Sequence, residues 1–136
     1  MGDVSIMIQI MKVATAKKRF LPLLLLADPQ ESQIDGYLEE SEMFALYDDG
    51  KVKTIAVVSK DPKRVFSLKN IATVPASQRQ GYGKHMIQHL LAYYHGKGRV
   101  LQAGIPADAA YGSFFEACGM NRGKTSEDVV YMMREL

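Results

Sequence analysis

The stretch from Asn70 to Lys84 constrains this fold more than any other part of the chain. It opens with a mostly apolar strand end, Asn70-Ile71-Ala72-Thr73-Val74, and continues through Pro75-Ala76-Ser77. A glycine-bearing loop follows, Gln78-Arg79-Gln80-Gly81-Tyr82-Gly83-Lys84. A helix is predicted over 83–94, because Met86, Ile87, Leu90, Leu91 and Tyr94 fall on one stripe while Lys84, Gln88 and His89 lie largely off it. Gly96 and Gly98 end that helix, and Val100 to Gly104 is a short apolar strand. Strand, crossover helix and strand must pair in parallel. The chain is therefore an α/β unit, with its glycine loop where a strand hands over to a helix.

The remaining pattern fits around that unit. Ile6, Ile8 and Ile10 alternate within a strand predicted over 5–13. Residues 17–27 are leucine-rich and predict a helix whose start is limited by Pro22; Asp28-Pro29 breaks it. The run Leu23-Leu24-Leu25-Leu26 reads as part of a buried helix. Ile34, Tyr37 and Leu38 mark a second short helix over 30–40. Strands are predicted over 43–47, 51–59 and 65–74, joined by the turns Asp48-Asp49-Gly50 and Asp61-Pro62-Lys63, as an antiparallel meander. Asp108 is the expected N-cap of a helix reaching Cys118, with Gly119 as its left-handed end, and residues 129–134 form the last strand.

The chain has 136 residues, enough for one domain with a real core. The formal charge is +2, and the densest cationic cluster, Lys17-Lys18-Arg19, reads as a solvated face. Nucleic-acid binding is not expected, since phosphate neutralisation needs many clustered cations. The leucine run is far shorter than the roughly 20 residues of a membrane span, so no membrane association is expected. Cys118 is the single cysteine and cannot form a disulfide within the chain, which suits a reducing cytoplasm. It reads as a small buried apolar residue, and no metal-ligand spacing is visible.

The glycine loop carries the chemistry. The first turn of a helix has backbone N–H groups without intrahelical partners, and its dipole is positive there. Glycines let such groups approach a phosphate closely. Arg79 and Lys84 add charge. The loop is not a P-loop, because His85 stands where Ser or Thr should follow the lysine, and it fits the dinucleotide loop poorly, because Met86 holds its third glycine position.

Gln78-x-x-Gly81-x-Gly83, after a strand ending near Val74-Pro75, resembles the acetyl-CoA signature of the GNAT superfamily of N-acetyltransferases. Phe114-Phe115-Glu116-Ala117-Cys118-Gly119-Met120 resembles that family's second helix, and the element order fits across nearly the whole chain. The resemblance implies an α/β (α+β) fold, with a mixed, mostly antiparallel sheet of about six to seven strands, flanking helices and a splayed parallel pair holding CoA. It implies a single domain over residues 1–136. Carried over residue by residue, Ile71, Ala72, Thr73 and Val74 line the pantetheine arm. Gln78 belongs to the cofactor site, the amides of Arg79, Gln80, Gly81, Tyr82, Gly83 and Lys84 hold the pyrophosphate, Ala103 and Gly104 edge the opposite strand, and Phe114 and Phe115 flank the arm. The implied function is transfer of an acetyl group from acetyl-CoA, used as co-substrate without a metal, to a small-molecule or peptide amine by direct attack. A homodimer with the last strand as its contact edge is a further expectation from the family.

Two departures bear on catalysis. Family members often carry Glu on the strand before the signature, where this chain has Ser67-Leu68-Lys69-Asn70. They often carry Tyr where Phe115 stands, and Phe gives no proton. Tyr111 lies one helical turn earlier, about 6 Å along the axis, and is the candidate acid for the departing thiolate; the plainer alternative is a core stripe with Phe114, Phe115 and Cys118. Asn70 is the candidate to orient a water. Glu39, Glu40 and Glu42 are candidate bases or a solvated rim, and His85, His89 and His95 are expected on the surface. The acidic content of residues 21–42, including Asp28, Glu31 and Asp35, favours a cationic acceptor. The missing Glu and Tyr motivate an alternative from another class, a CoA-binding sensor or regulatory module with little catalysis. A weaker rival is an ATP-binding loop.

Overall fold

The computed structural model describes residues 7–107 and 111–136. The first residues of the predicted opening strand and the expected Asp108 cap lie outside them. Strand β1 (Ile8–Val13) leads to a 3-10 turn at Lys17–Phe20, helix α1 (Leu21–Ala27) and helix α2 (Glu31–Tyr37). The strands β2 (Glu42–Asp48), β3 (Lys51–Lys60) and β4 (Val65–Thr73) follow. After a short 3-10 turn at Pro75–Ser77 come helix α3 (Tyr82–Tyr94), strand β5 (Val100–Pro106), helix α4 (Tyr111–Ala117), and strands β6 (Asn121–Ser126) and β7 (Val129–Glu135).

One seven-stranded sheet runs in the order β1-β2-β3-β4-β5-β7-β6. Every neighbouring pair is antiparallel except β4 with β5. This is the mixed, mostly antiparallel sheet expected from the sequence. Two apolar clusters cover its faces. Met86, Ile87, Leu90 and Tyr94 of α3 and Phe115 of α4 pack with Leu46, Ala56, Leu68 and Leu101 on one side. Leu24 of α1 and Ile34 and Leu38 of the α2 segment pack with Met43, Ile55 and Val57 on the other. The period-2 alternation of β3 serves both layers, which is why its run reads as nearly continuous apolar sequence.

Four expectations change. The predicted helix over 17–27 is a 3-10 turn followed by α1, with Pro22 in the first α-helical turn, where its missing N–H costs nothing. Lys17 is not on a solvated face: it is 8% exposed, and its ammonium donates to the carbonyls of Leu38 and Glu39 at 3.2 Å each and of Ser41 at 2.5 Å. The leucine run is buried only at Leu23 and Leu24, while Leu26 is 52% exposed. Finally, β6 lies outside β7, so the last strand is interior and the sheet edge on that side is β6. Every residue of β6 is exposed, which leaves it without the apolar alternation that reveals a strand.

Candidate functional site

The site begins as a fork. Strands β4 and β5 are in register only at Val65–Val100, Phe66–Leu101 and Ser67–Gln102. At that last rung Gln102 Nε2 donates to Ser67 Oγ at 3.1 Å. Beyond it β4 stays with β3 as far as Thr73, and β5 stays with β7 as far as Pro106. The backbone between the two arms is left without ladder partners, and groups of this kind need partners of some sort.

A bulge sets which side chains face the gap. Val57 pairs with Asn70 and Val58 with Leu68, so Lys69 is the extra residue. One inserted residue turns the following side chains to the opposite face. Leu68 therefore joins the α3 cluster, while Asn70 turns toward α1 and Ala72 joins the α1–α2 cluster.

The helix mouth closes one end of the gap. Gly81 takes φ +88° at the N-cap of α3, a conformation open to glycine at little cost, and no side chain caps that turn. Gly83 serves a different end: a Cβ there would lie 3.1 Å from Cζ of Phe114, so that ring would have to give way. The signature's two glycines thus serve backbone direction and helix–helix contact separately. Gln78 Nε2 donates to the Thr73 carbonyl at 3.2 Å, bracing the loop on the end of β4. Tyr82 donates its hydroxyl to Asp48 at 2.5 Å, tying the loop to the β2–β3 turn; that bond raises the Tyr82 pKa and keeps the phenol protonated.

Fork, loop and α4 enclose a cleft of about 1070 Å³. Of the predicted cofactor residues, Ile71, Ala72, Thr73, Gln78, Arg79, Gly81, Tyr82, Gly83, Lys84, Phe114 and Phe115 border it, as do Ala103 and Gly104 across the gap. Val74 and Gln80 do not: Val74 packs on the α1–α2 cluster, and Gln80 is exposed. Tyr111 and Asn70 both border the cleft. Tyr111 is 60% exposed, so it stands apart from the core stripe that holds Phe115 and Cys118. Burial pushes the Cys118 thiol upward in pKa, which suits an inert core residue.

Asn70 is 3% exposed and fully committed through its amide nitrogen, which donates to the Leu24 carbonyl at 3.0 Å and to the Tyr37 hydroxyl at 3.2 Å. Tyr37 in turn donates to Asp28 at 3.2 Å. Burial is the main cause raising the Tyr37 pKa, with Asp28 adding to it against the hydrogen bond from Asn70. Among the described residues, Asn70 Oδ1 is the buried side-chain atom without a partner. A buried acceptor left in this state costs about 1–3 kcal/mol.

Sequence reasoning placed Asp28 in the acceptor-facing segment 21–42 but did not link it to Tyr37 or Asn70, because Tyr37 lies on an apolar helical face. Leu26 and Ala27, from the segment 21–42 expected near the acceptor, border the cleft; Lys69, Ile105 and Pro106 were missed as cleft walls. Among the described residues, the lining carries the cations Lys69, Arg79 and Lys84 and no carboxylate or histidine. Of the acidic residues of the α1–β2 segment, Asp28 accepts from Tyr37 beside the cleft, while three others pair away from it. Glu31 and Asp35 pair with Lys18, and Glu42 pairs with Lys12 while accepting the Tyr94 hydroxyl at 2.7 Å.

A forked parallel pair opening onto an uncapped, glycine-led helix defines the class: an α/β domain with a cleft between two parted parallel strands and a helix start. The chain belongs to the GNAT acetyltransferase family, whose profile matches residues 13–120. An N-acetyltransferase of Bacillus subtilis (strain 168), YvbK, itself uncharacterised, is 32% identical over 65 residues. That match spans 48% of this chain and 42% of YvbK, less than half of either. Among solved structures, a Bacillus subtilis acetyltransferase in complex with CoA superposes with a TM-score of 0.85 at 19% identity, covering 95% of this chain and 99% of that one. A GNAT family acetyltransferase from Elizabethkingia anophelis with acetyl-CoA bound gives 0.84 at 19% identity, over 97% and 100%. Among the described residues, no helix is long and apolar enough to cross a membrane.

Proposed function

We propose that the chain transfers the acetyl group of acetyl-CoA to an amine by direct attack in a ternary complex. The observation that carries this reading is the continuity of the fork with the helix mouth in one cleft. The pantetheine arm lies between β4 and β5, and the pyrophosphate rests on the amides at the start of α3 beside Arg79 and Lys84. The amine lone pair forms the C–N bond, the C–S bond breaks, and one amine proton is delivered to the departing thiolate. Tyr111 is the proposed relay: its phenol protonates the departing thiolate, and the phenolate so formed recovers the proton lost by the amine, directly or through water; its side chain borders the cleft and is not packed away. Backbone N–H groups on the free edge of β4 stabilise the oxyanion. The acceptor is a small-molecule or peptide amine.

The direct experiment follows thiol release from acetyl-CoA with a chromogenic thiol reagent against a panel of amines, alongside calorimetric titration with CoA. Saturable CoA binding with amine-dependent thiol release is expected. If CoA does not bind, the reading falls. One observation favours a second reading, a CoA-binding sensor: the described lining offers no carboxylate or histidine as base. Tight CoA binding with no turnover of any amine would select it.

A further inference from the structure

The unpaired oxygen of Asn70 has a cause that can be traced through the hydrogen bonds around it. An amide side chain has two N–H groups to give and one oxygen to receive. The Leu24 carbonyl can only accept, and it takes one N–H. The Asp28 carboxylate also only accepts, so the Tyr37 hydroxyl donates to it, and the Tyr37 oxygen is left to accept the second N–H. Two acceptors, one direct and one relayed through Tyr37, therefore select the same amide orientation. Turning the amide over would set its oxygen against the Leu24 carbonyl. The outcome is a side chain whose nitrogen is satisfied and whose Oδ1 is buried without a donor. Asn70 borders the cleft on the first turn-out of β4 past the bulge, beside the gap where the strands part.

We propose that Asp28 and Tyr37 are positioning residues that hold the Asn70 amide so that Oδ1 receives an N–H of the incoming acceptor. This rests on the transferase reading above and deepens it. An attacking amine must keep its lone pair aimed at the thioester carbon. An N–H held by Oδ1 fixes the nitrogen's orientation without consuming that lone pair. The proton lost in the reaction is then a different one, so the acceptor needs an N–H to spare. The site selects primary amines over secondary ones, whose single N–H is the one that must leave. The same geometry would hold the O–H of an ordered water, and the two sources are separable by experiment.

The test is a double-mutant cycle on the full-length chain, with phenethylamine, spermidine, glycinamide and a dipeptide amide as acceptors and N-methylphenethylamine as the secondary counterpart. Asn70→Ala and Tyr37→Phe are each expected to lower kcat/KM for the best primary amine about tenfold, with calorimetric affinity for CoA within about twofold of the parent. Combined, they should lose no more than Asn70→Ala alone. The preference for primary over secondary amine should shrink in both single variants. A purely structural role would not move that ratio. Loss confined to amine turnover assigns the donor to the acceptor; an equal loss of slow acetyl-CoA hydrolysis assigns it to water, which keeps the relay but overturns amine selection. If Tyr37→Phe does not fold, Asp28→Asn replaces it in the cycle. Losses that multiply in the double variant, with an unmoved amine ratio, overturn the relay while leaving the transferase reading standing. CoA binding without turnover of any amine overturns both.

Discussion

The two ends of the cleft are built on different principles. The end at Gln78 to Lys84 is a backbone device. Its form is set by peptide groups, a left-handed Gly81 and a close approach at Gly83, and its side-chain ties to Thr73 and Asp48 hold the loop in place. The end beneath α1 and α2 is a side-chain device. There Asn70 reaches Leu24 across 46 residues of sequence and is linked through Tyr37 to Asp28, and Lys17 fastens the segment by gripping three carbonyls. Backbone devices depend on local conformation, so they are written locally. Side-chain devices depend on which distant elements meet, so they are not.

Five measurements would break or sharpen that contrast. Tyr111→Phe is expected to lower kcat about a hundredfold with KM for acetyl-CoA little changed, if the hydroxyl is the proton donor. Steady-state kinetics check this, and unchanged turnover would remove Tyr111 from the chemistry. Lys17→Met should cost about 2–3 kcal/mol in urea unfolding, because three carbonyls lose an ionic donor in a buried setting. Gly81→Val should weaken CoA binding about tenfold through backbone strain alone, since a Cβ there meets nothing within 4 Å. Gly81→Asn, which tolerates the left-handed region, should recover most of that loss. Tyr82→Phe should raise KM for acetyl-CoA about fivefold with kcat intact, the equivalent of one ordinary hydrogen bond.

The smallest effect concerns acid. Burial pushes Glu42 upward, but Lys12, the Tyr94 hydroxyl and the charge of Lys97 outweigh it, and the net pKa lies below the ordinary value of 4.5. Its contribution to stability is therefore complete above pH 4.5 and is lost as pH falls through the lower, folded value. Glu42→Gln should flatten that acid limb in a pH series of thermal melts and leave CoA affinity alone, since Glu42 does not border the cleft.

What the sequence disclosed follows the same division. The helix α3 was legible because Met86, Ile87, Leu90 and Tyr94 recur at its period and all four are buried. The turn at Asp49-Gly50 was legible because both residues take positive φ, at 55° and 77°, as their types predict. The bulge at Lys69 was not, since one inserted residue leaves no mark on composition yet decides that Asn70 faces α1. Lys17 was misread for a similar reason: three adjacent cations look alike until the carbonyls at the end of α2 arrive to claim one of them. Strand β6 was missed because Asn121 to Ser126 bury nothing; pairing with β7 is what makes it a strand.

The seam between β4 and β5 holds only three rungs, although it joins four strands on one side to three on the other. The domain is thus two leaves stitched near one corner and bridged by the α3 crossover. On the proposed reading, the arm of the coenzyme occupies the unstitched length and supplies contacts the polypeptide withholds from itself. Saturation with CoA should then slow amide exchange along the free margins of both leaves, with little change at the corner, so that occupancy of the cleft is registered as rigidity where the sheet is open.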